Sequence, residues 1–290
     1  QSKRYNGWLG YQGELIAQRD RYELALQSSL AGARIDLPQP LGKSANEARP
    51  LRVKASGDNA RQTIEFGYGR LLSGALALQN GGSWAGAIAL GATSPSLSSI
   101  SSGVGISGGW AEIDLNAWMG LLDGGNGQSL PVNSVDLTFD RVTGWGKRLE
   151  FVQAKAALTA QGWSVQLASR QAAGNLSWRG GPKPLLTGRL DRLQLPLPVA
   201  NGVAGAAGAS AATSARANAD PKPALDLTVN DFRYKSADLG QLAVKAQPQG
   251  DGWQLNAITL TNPDGRFDMS GLWQGSGASE RTTAKLSLKS

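Results

Sequence analysis

Short runs that alternate apolar and polar residues recur along this chain from Tyr22 to Leu288, and Gly-rich turns separate them. A period of two places successive side chains on opposite faces of a β-strand, so each run predicts a strand with one apolar face. The clearest runs are 64–68, 84–90, 135–139, 163–167, 225–229 and 267–273. The sequence therefore predicts a mostly β fold, and the short turns favour a long antiparallel meander.

Helical spacing is confined to one stretch of useful length, residues 114–122. Asp114 is a candidate N-cap, and Leu115, Trp118, Met119 and Leu122 follow at helical intervals. We expect one or two short helices, with this one packed across an end of the sheet. So few helices cannot cover the sheet, which leaves a second sheet, closure into a barrel, membrane lipid or bound lipid to do so.

Composition argues against ordinary catalysis. The 290 residues include no Cys and no His, which removes thiol chemistry, His-dependent triads and most zinc sites. Asp136, Asp140, Asp226 and Asp231 alternate with apolar residues and are expected to face solvent. We predict that the chain is not an enzyme and needs no cofactor or metal.

The net charge of +7 comes from dispersed Lys and Arg residues, with no run of four. This pattern is typical of a diffuse basic surface, so no nucleic-acid partner is predicted. Lys43 follows Pro38 and Pro40 without the glycine spacing of a phosphate-binding loop, and we expect a turn there.

Residues 199–220 interrupt the alternation and consist mostly of Ala, Gly, Ser, Thr and Asn. We interpret them as a flexible loop within one continuous segment, 1–290, because the same alternation resumes after them. A linker between two domains is the alternative. The chain has no apolar run of 18 residues and no signal-peptide pattern at its start, so we expect any membrane anchor in another part of a longer protein.

Several tryptophans mark the places where predicted strands begin: Trp84, Trp110, Trp145, Trp163 and Trp253. Packing at the edge of the sheet explains them most simply. The alternative is an interfacial role, with the ring in an apolar phase and the indole N–H reaching water.

Residues 37–43, 114–122 and 188–193 and the long tail 223–273 carry a family resemblance. In the tail, Ala224-Leu225-Asp226-Leu227, Asp231-Phe232-Arg233-Tyr234, Gly252-Trp253-Gln254-Leu255, Asn262-Pro263 and Gly271-Leu272-Trp273 follow one another. Their order and spacing resemble the AsmA-like bacterial envelope proteins of the YhdP type. The resemblance rests on turn and strand residues and assigns no catalytic residue.

The resemblance implies an inner-membrane protein, anchored by an N-terminal helix that this chain lacks, which extends through the periplasm. It also implies a long curved antiparallel sheet folded into an open hydrophobic groove that carries phospholipid between the inner and outer membranes. Phospholipid acyl chains, the inner membrane, and outer-membrane or other envelope proteins are the implied partners.

The apolar position of each predicted strand is a candidate for lining this groove, where every buried CH₂ of an acyl chain contributes about 0.8 kcal/mol. The candidates are Ile64, Phe66, Leu76, Leu78, Ile88, Leu90, Val135, Leu137, Phe139, Val165, Leu167, Leu225, Leu227, Val229, Leu242, Val244, Ile258 and Leu260. A non-catalytic β-sandwich used for binding or adhesion would produce the same pattern. An outer-membrane barrel fits less well because it needs longer apolar bands and aromatic girdles at both strand ends.

Overall fold

Strands dominate the structure. A computed structural model describes residues 5–79, 82–92, 95, 102–122, 130–144, 146–195, 222–235, 237–250, 252–274 and 281–289. These residues contain nineteen strands and one helix. The prediction of a mostly β chain arranged as a long sheet with very little helix is confirmed.

The chain divides into two compact units. The first unit comprises 1–145 and 149–158, and the second comprises 146–148 and 159–290. The dividing point therefore falls near residues 145–159. Residues 199–220, which the sequence predicts as a flexible loop or a linker, lie outside the described residues. That 1–290 form one continuous segment of a longer protein stays a prediction.

The first unit is built around an eight-stranded sheet. Strands β2, β3, β5, β6, β7 and β8 pair antiparallel in that order, and β9 and β10 follow in parallel pairings. Strands β1 and β4 form a separate ladder. The elements are β1 (Tyr5–Gly7), β2 (Gln12–Ala17), β3 (Arg21–Ser28), β4 (Ala33–Ile35), β5 (Leu51–Asp58), β6 (Arg61–Tyr68), β7 (Leu72–Gln79), β8 (Trp84–Leu90), β9 (Gly103–Asp114), α1 (Leu115–Leu122) and β10 (Val132–Gly144), followed by β11 (Lys147–Thr159), which has residues in both units.

The second unit contains eight further strands that pair in chain order. All neighbours are antiparallel except β14 and β15, which run parallel. The strands are β12 (Gly162–Ala168), β13 (Ala172–Arg179), β14 (Leu185–Leu195), β15 (Ala224–Tyr234), β16 (Ala237–Gln249), β17 (Gly252–Asn262), β18 (Gly265–Gln274) and β19 (Arg281–Lys289).

Three parallel pairs interrupt the expected antiparallel meander: β8 with β9, β9 with β10, and β14 with β15. Parallel neighbours cannot be joined by a tight turn, because the chain must return to the end of the sheet at which the first strand of the pair began. The three connections are the long segments 91–102, 115–131 and 196–223. The sheet is therefore mixed at these places.

Asparagine and aspartate side chains hold two of the short turns that separate the strands. Asp58 Oδ1 accepts hydrogen bonds from the backbone N–H groups of Ala60 and Arg61, both at 2.8 Å. Asn262 Oδ1 likewise accepts from Asp264 and Gly265, both at 3.0 Å. These local bonds fix the hairpins β5–β6 and β17–β18 at the turn signals of the sequence.

Acid is expected to destabilise the fold partly through Asp58 and Asp268. Hydrogen bonds from Ala60 and Arg61 hold the pKa of Asp58 below its usual value, and the Arg266 and Thr259 side chains do the same for Asp268. As the pH falls, the unfolded chain therefore binds protons at these two carboxylates before the folded chain does. The stabilisation is complete above about pH 4 and is lost as the pH falls through the lowered folded-state pKa values.

The measurement is the urea midpoint followed from neutral pH down to about pH 3. The variant Asp58→Asn/Asp268→Asn should show a shallower fall in the midpoint than the parent chain. An unchanged slope in the double variant would contradict this account.

A structured segment covers the strand ends along one side of the first unit's sheet. We call it the edge cap, and it consists of residues 29–50 together with helix α1. Leu30 and Leu41 from the cap form a buried cluster with Tyr68, at the end of β6. Partly buried residues from both sides pack against this cluster: Ile35, Leu37, Leu51, Leu71, Leu72, Trp110 and Trp118. The expectation that the helix packs across an end of the sheet is confirmed.

Trp118 joins the helix both to the loop of the edge cap and to β9. Asp114 Oδ1 accepts from the backbone N–H of Asn116 at 2.9 Å, as an N-cap does. The Trp118 ring lies 5.5 Å from that of Trp110, and its Nε1 donates to the Gln39 carbonyl at 3.2 Å. Helix and loop therefore form one packed layer over this edge.

Two cations hold the loop of the edge cap. Lys43 is only 4% exposed, and its Nζ donates to the carbonyls of Leu30 at 2.8 Å, Ala33 and Ser44 at 2.9 Å. Arg49 Nη1 donates to the Pro40 carbonyl at 2.8 Å, in the turn formed by residues 38–41. The predicted turn therefore ends just before Lys43, which pairs with Ile35 in an antiparallel bridge and is a buried structural group.

Tyr68 links the edge cap to the sheet. Its hydroxyl donates to the Leu41 carbonyl at 2.8 Å, and the Arg49 guanidinium lies 5.1 Å from the ring centroid. Burial raises the pKa of Tyr68 although the Arg49 charge opposes the shift, so the hydroxyl keeps its proton and its role as donor.

Candidate functional site

The strand register of the first unit places a row of apolar residues side by side. Residues directly opposite one another in paired strands share a face of the sheet. One such row crosses six strands, in the order Val53, Phe66, Gly74, Ile88, Ile106 and Val135. The same register puts all nine predicted residues of this unit on one face: Ile64, Phe66, Leu76, Leu78, Ile88, Leu90, Val135, Leu137 and Phe139.

The opposite face of the first unit is mostly polar. Arg52, Lys54, Glu65 and Thr63 alternate with the apolar residues of β5 and β6. Strands β7 and β8 differ, because their residues on this face are small and buried. These are Ala75, Ala77, Ala85, Ala87 and Ala89, at 0–9% exposure.

The second unit repeats this arrangement across all eight of its strands. A single row of register partners runs Val165, Leu176, Gly188, Leu227, Val244, Ile258, Met269 and Leu286. The nine predicted residues of this unit share the face of that row: Val165, Leu167, Leu225, Leu227, Val229, Leu242, Val244, Ile258 and Leu260. Each unit therefore has one apolar face.

Charged and amide side chains occupy the other face of the second unit. Gln166 lies opposite Asn175, and Asp226 lies opposite Lys245 with 3.6 Å between Oδ2 and Nζ. Both members of that ion pair are more than half exposed, so the pair adds little stability. Polarity thus separates the two faces along the whole sheet of this unit.

The apolar faces are only partly shielded from solvent. Of the eighteen predicted residues, Leu90, Phe139 and Val229 are buried, at 8%, 9% and 2% exposure. The other fifteen are half-buried. The interior of a sandwich would bury such side chains almost completely, whereas an apolar face that awaits a ligand leaves them partly accessible. Their contact with lipid stays a prediction.

Glycines leave room for large neighbouring side chains to lie close to the backbone on both apolar faces. The Phe66 ring lies directly over Gly74, and a Cδ methyl of Leu176 lies over Gly188. A Cβ at either glycine would collide with the larger side chain. Large residues therefore lie flat against the backbone and do not project far from the sheet.

Several residues of the apolar faces were absent from the sequence-based set. Register adds Leu24, Leu26 and Val53 in the first unit, and Leu176 and Met269 in the second. Their strands show the same alternation, so the pattern that selected the eighteen would also have found these. The edge cap has no such signal, because its contacts join residues far apart in sequence.

The described part of the chain contains no group of three or more His, Cys, Asp or Glu residues that could hold a metal ion. Within the same residues, no helix has both the length and the hydrophobicity needed to cross a bilayer.

Comparison with protein families gives one result for this chain. The sequence model of the family described as YhdP protein matches residues 1–290, the whole length. Neither the curated proteins nor the solved structures include a match.

Proposed function

Because this chain belongs to the YhdP family of bacterial envelope proteins, we propose that its apolar faces carry phospholipid acyl chains between the inner and outer membranes. The chain would form part of a protein that spans the periplasm and is anchored in the inner membrane. No chemical step is involved, so the chain acts as a surface along which lipid moves and not as an enzyme.

The observation that supports this proposal most strongly is the uninterrupted row of apolar residues across each sheet. In the second unit, the row from Val165 to Leu286 contains no polar side chain. A lipid that moves along such a face exchanges one set of aliphatic contacts for an equivalent set. Its free energy therefore changes little from strand to strand, which passage requires.

Partial exposure supports the same proposal. An apolar face left open to water costs about 25 cal/mol for each Å², so a bound acyl chain would stabilise the protein as well as the lipid. The half-buried state of fifteen of the eighteen candidate residues leaves room for that contact. A β-sandwich module for binding or adhesion would need a second sheet over these residues, and their partial exposure disfavours it.

Photo-crosslinking tests the proposal at single positions. p-Benzoylphenylalanine would replace Phe66 or Val165, on the apolar faces, and Glu65 or Gln166, their exposed neighbours on the polar faces. After incubation with phospholipid vesicles and irradiation, mass spectrometry should find phospholipid adducts at 66 and 165 and none at 65 and 166. Equal adducts on both faces, or none at any position, would refute lipid carriage on the apolar faces.

A further inference from the structure

All four tryptophans of the second unit lie at the same end of its strands, on the apolar face. Here an edge of this face means the line along one end of the strands, not an outermost strand. Trp163 is the second residue of β12 and the register partner of Trp178 in β13, while Trp253 in β17 is the register partner of Trp273 in β18. Each shares the face of the apolar row described above. We call this edge, defined by Trp163, Trp178, Trp253 and Trp273, the tryptophan edge.

Specific contacts hold the Trp253 and Trp273 rings at this edge. Trp253 and Trp273 stack with centroids 5.1 Å apart and planes 11° from parallel. Trp253 Nε1 donates to the Pro223 carbonyl at 2.8 Å, and Lys222 Nζ lies 4.6 Å from the centroid of the same ring. Trp178 remains 36% exposed. The two tryptophan pairs thus lie at separate points of the same edge, one at β12 and β13 and the other at β17 and β18.

The opposite edge of the same face is built differently. Phe232 is buried there at 8% exposure, and Leu193 and Leu195 pack against it. Arg233 forms ion pairs with Asp231 and Asp238, at 3.0 and 3.6 Å. Among the described residues this edge has one tyrosine, Tyr234, and no tryptophan. Tyr234 is 46% exposed, and Lys235 Nζ lies 5.3 Å from the centroid of its ring. This edge therefore combines a buried aliphatic and aromatic cluster with ion-paired Arg233 and a single exposed aromatic ring.

Further cations line the tryptophan edge. Arg179 ends β13, Lys183 lies in the turn before β14, and Arg281 begins β19, and all three are exposed. Phosphate is the charge complement of such cations, and every glycerophospholipid contains one. The sequence also has Asp220, Asp251 and Glu280 beside these positions, so no preference for an anionic headgroup follows.

Tryptophan favours the boundary between an apolar phase and a polar one, since its ring is apolar and its N–H is a donor. Strand β14 runs from one edge to the other, with Leu186 near the tryptophan edge and Leu195 near the opposite one. At about 3.3 Å per residue, these two residues are roughly 30 Å apart. One leaflet of a bilayer provides about 15 Å of hydrocarbon, half of the 30 Å core. The face is therefore long enough to hold an acyl chain that starts at the tryptophan edge.

We infer that the tryptophan edge binds the glycerol and phosphate of a glycerophospholipid whose acyl chains extend over the apolar face towards Phe232. This inference rests on the proposed function and adds an orientation to it. The headgroups of all lipids on this unit lie at one edge, and the opposite edge contacts neither headgroup nor phosphate.

Site-directed fluorescence quenching tests the orientation, and the absence of native Cys makes single labels unambiguous. The 290-residue chain would carry a nitrobenzoxadiazole label on L186C, L195C or, at mid-face, L227C, and each signal is compared with that of the same protein loaded with unlabelled phosphatidylcholine. Each labelled protein is loaded with phosphatidylcholine that has a nitroxide either on the headgroup or near the acyl terminus. We expect the headgroup nitroxide to quench the label on L186C and to leave L195C unquenched, while the acyl nitroxide quenches L227C.

The outcomes separate the inference from the proposed function. Quenching at L227C together with equal headgroup quenching at L186C and L195C would overturn the orientation and leave acyl binding intact. Absence of quenching by either lipid at every position would overturn both. If a label at β14 disturbs folding, L225C and Y234C in β15 repeat the comparison at the same two edges.

The tryptophans themselves are tested by Trp163→Leu/Trp178→Leu, introduced separately into the L186C and the L227C proteins. We expect the headgroup quenching at L186C to fall to the level at L195C while the acyl quenching at L227C persists. Unchanged headgroup quenching in a folded double variant would assign the indoles to packing alone and overturn their role.

Discussion

Replacing Leu137 with Asp is expected to reduce phospholipid binding to the first unit about 10- to 200-fold. Leu137 lies in β10 between Val135 and Phe139 on the apolar face, and it is half-buried. A carboxylate there stays hydrated and denies an acyl chain contact with about two to four methylenes, at about 0.8 kcal/mol each. Lipid moving along the face must cross this position, so passage should fall with binding.

The measurement is transfer of a fluorescent phospholipid between donor and acceptor vesicles, together with mass spectrometry of the lipid that copurifies with the 290-residue chain. Thr138→Asp is the matched control, because Thr138 is exposed and the next residue along the strand faces the other side. It introduces the same charge without touching the apolar face and should transfer lipid at the parental rate. Normal transfer by a stably folded Leu137→Asp variant would rule out a continuous lipid path over β10.

The strands and their apolar faces were accessible from the sequence because both depend on a local repeat. Leu225, Leu227 and Val229 alternate with Asp226 and Thr228, and a pleated strand separates such neighbours onto two faces whatever it pairs with. The prediction of a long, mostly β sheet is therefore confirmed in both units. The eighteen candidates share faces for the same reason.

Strand pairing was less accessible, because register and direction depend on residues far apart in the chain. The parallel pairing of β14 with β15 requires the intervening segment to return to its starting edge, and the Ala- and Gly-rich composition of 199–220 does not specify that path. The tryptophan edge shows the same limit. Trp163 and Trp253 marked strand starts in the sequence, but only register brings Trp178 and Trp273 beside them.

The edge cap could not be predicted beyond a turn and a short helix. Lys43 looks like an ordinary surface lysine in sequence. Its burial depends on the backbone carbonyls of Leu30, Ala33 and Ser44. A buried ammonium is tolerated when backbone acceptors replace its hydration, and this constellation exists only after the loop has folded. Side chains that satisfy the backbone in this way leave no periodic signal.

The two units combine a general surface with local structure at its edges. Each apolar face consists of the same few aliphatic and aromatic residue types, which suits a ligand that must not stop at any one of them. The edges carry the specific contacts: the edge cap over Tyr68 and Leu72 in the first unit, and the stacked Trp253 and Trp273 in the second. The faces would thus determine that lipid binds, and the edges how it is held.

Lys43→Met is expected to destabilise the edge cap by about 2–5 kcal/mol. Methionine keeps most of the apolar stem but removes the donors to the carbonyls of Leu30, Ala33 and Ser44, and an unsatisfied buried carbonyl costs about 1–3 kcal/mol. The urea midpoint of the 290-residue chain should fall, and amide hydrogen exchange within residues 29–50 should accelerate. Exchange also detects a cap that opens locally while the sheet remains folded.

Lys245→Met provides the comparison, because Lys245 is an exposed lysine whose ion pair with Asp226 should contribute at most about 1 kcal/mol. In the Lys245→Met variant, amide hydrogen exchange within residues 29–50 should match that of the parent chain. Opening of the cap would also expose Leu51 and Leu72, which pack beneath it at the edge of the apolar face, so Lys43→Met should bind more phospholipid in its first unit. Parental exchange rates and an unchanged midpoint in Lys43→Met would show that the buried ammonium does not hold the cap in place.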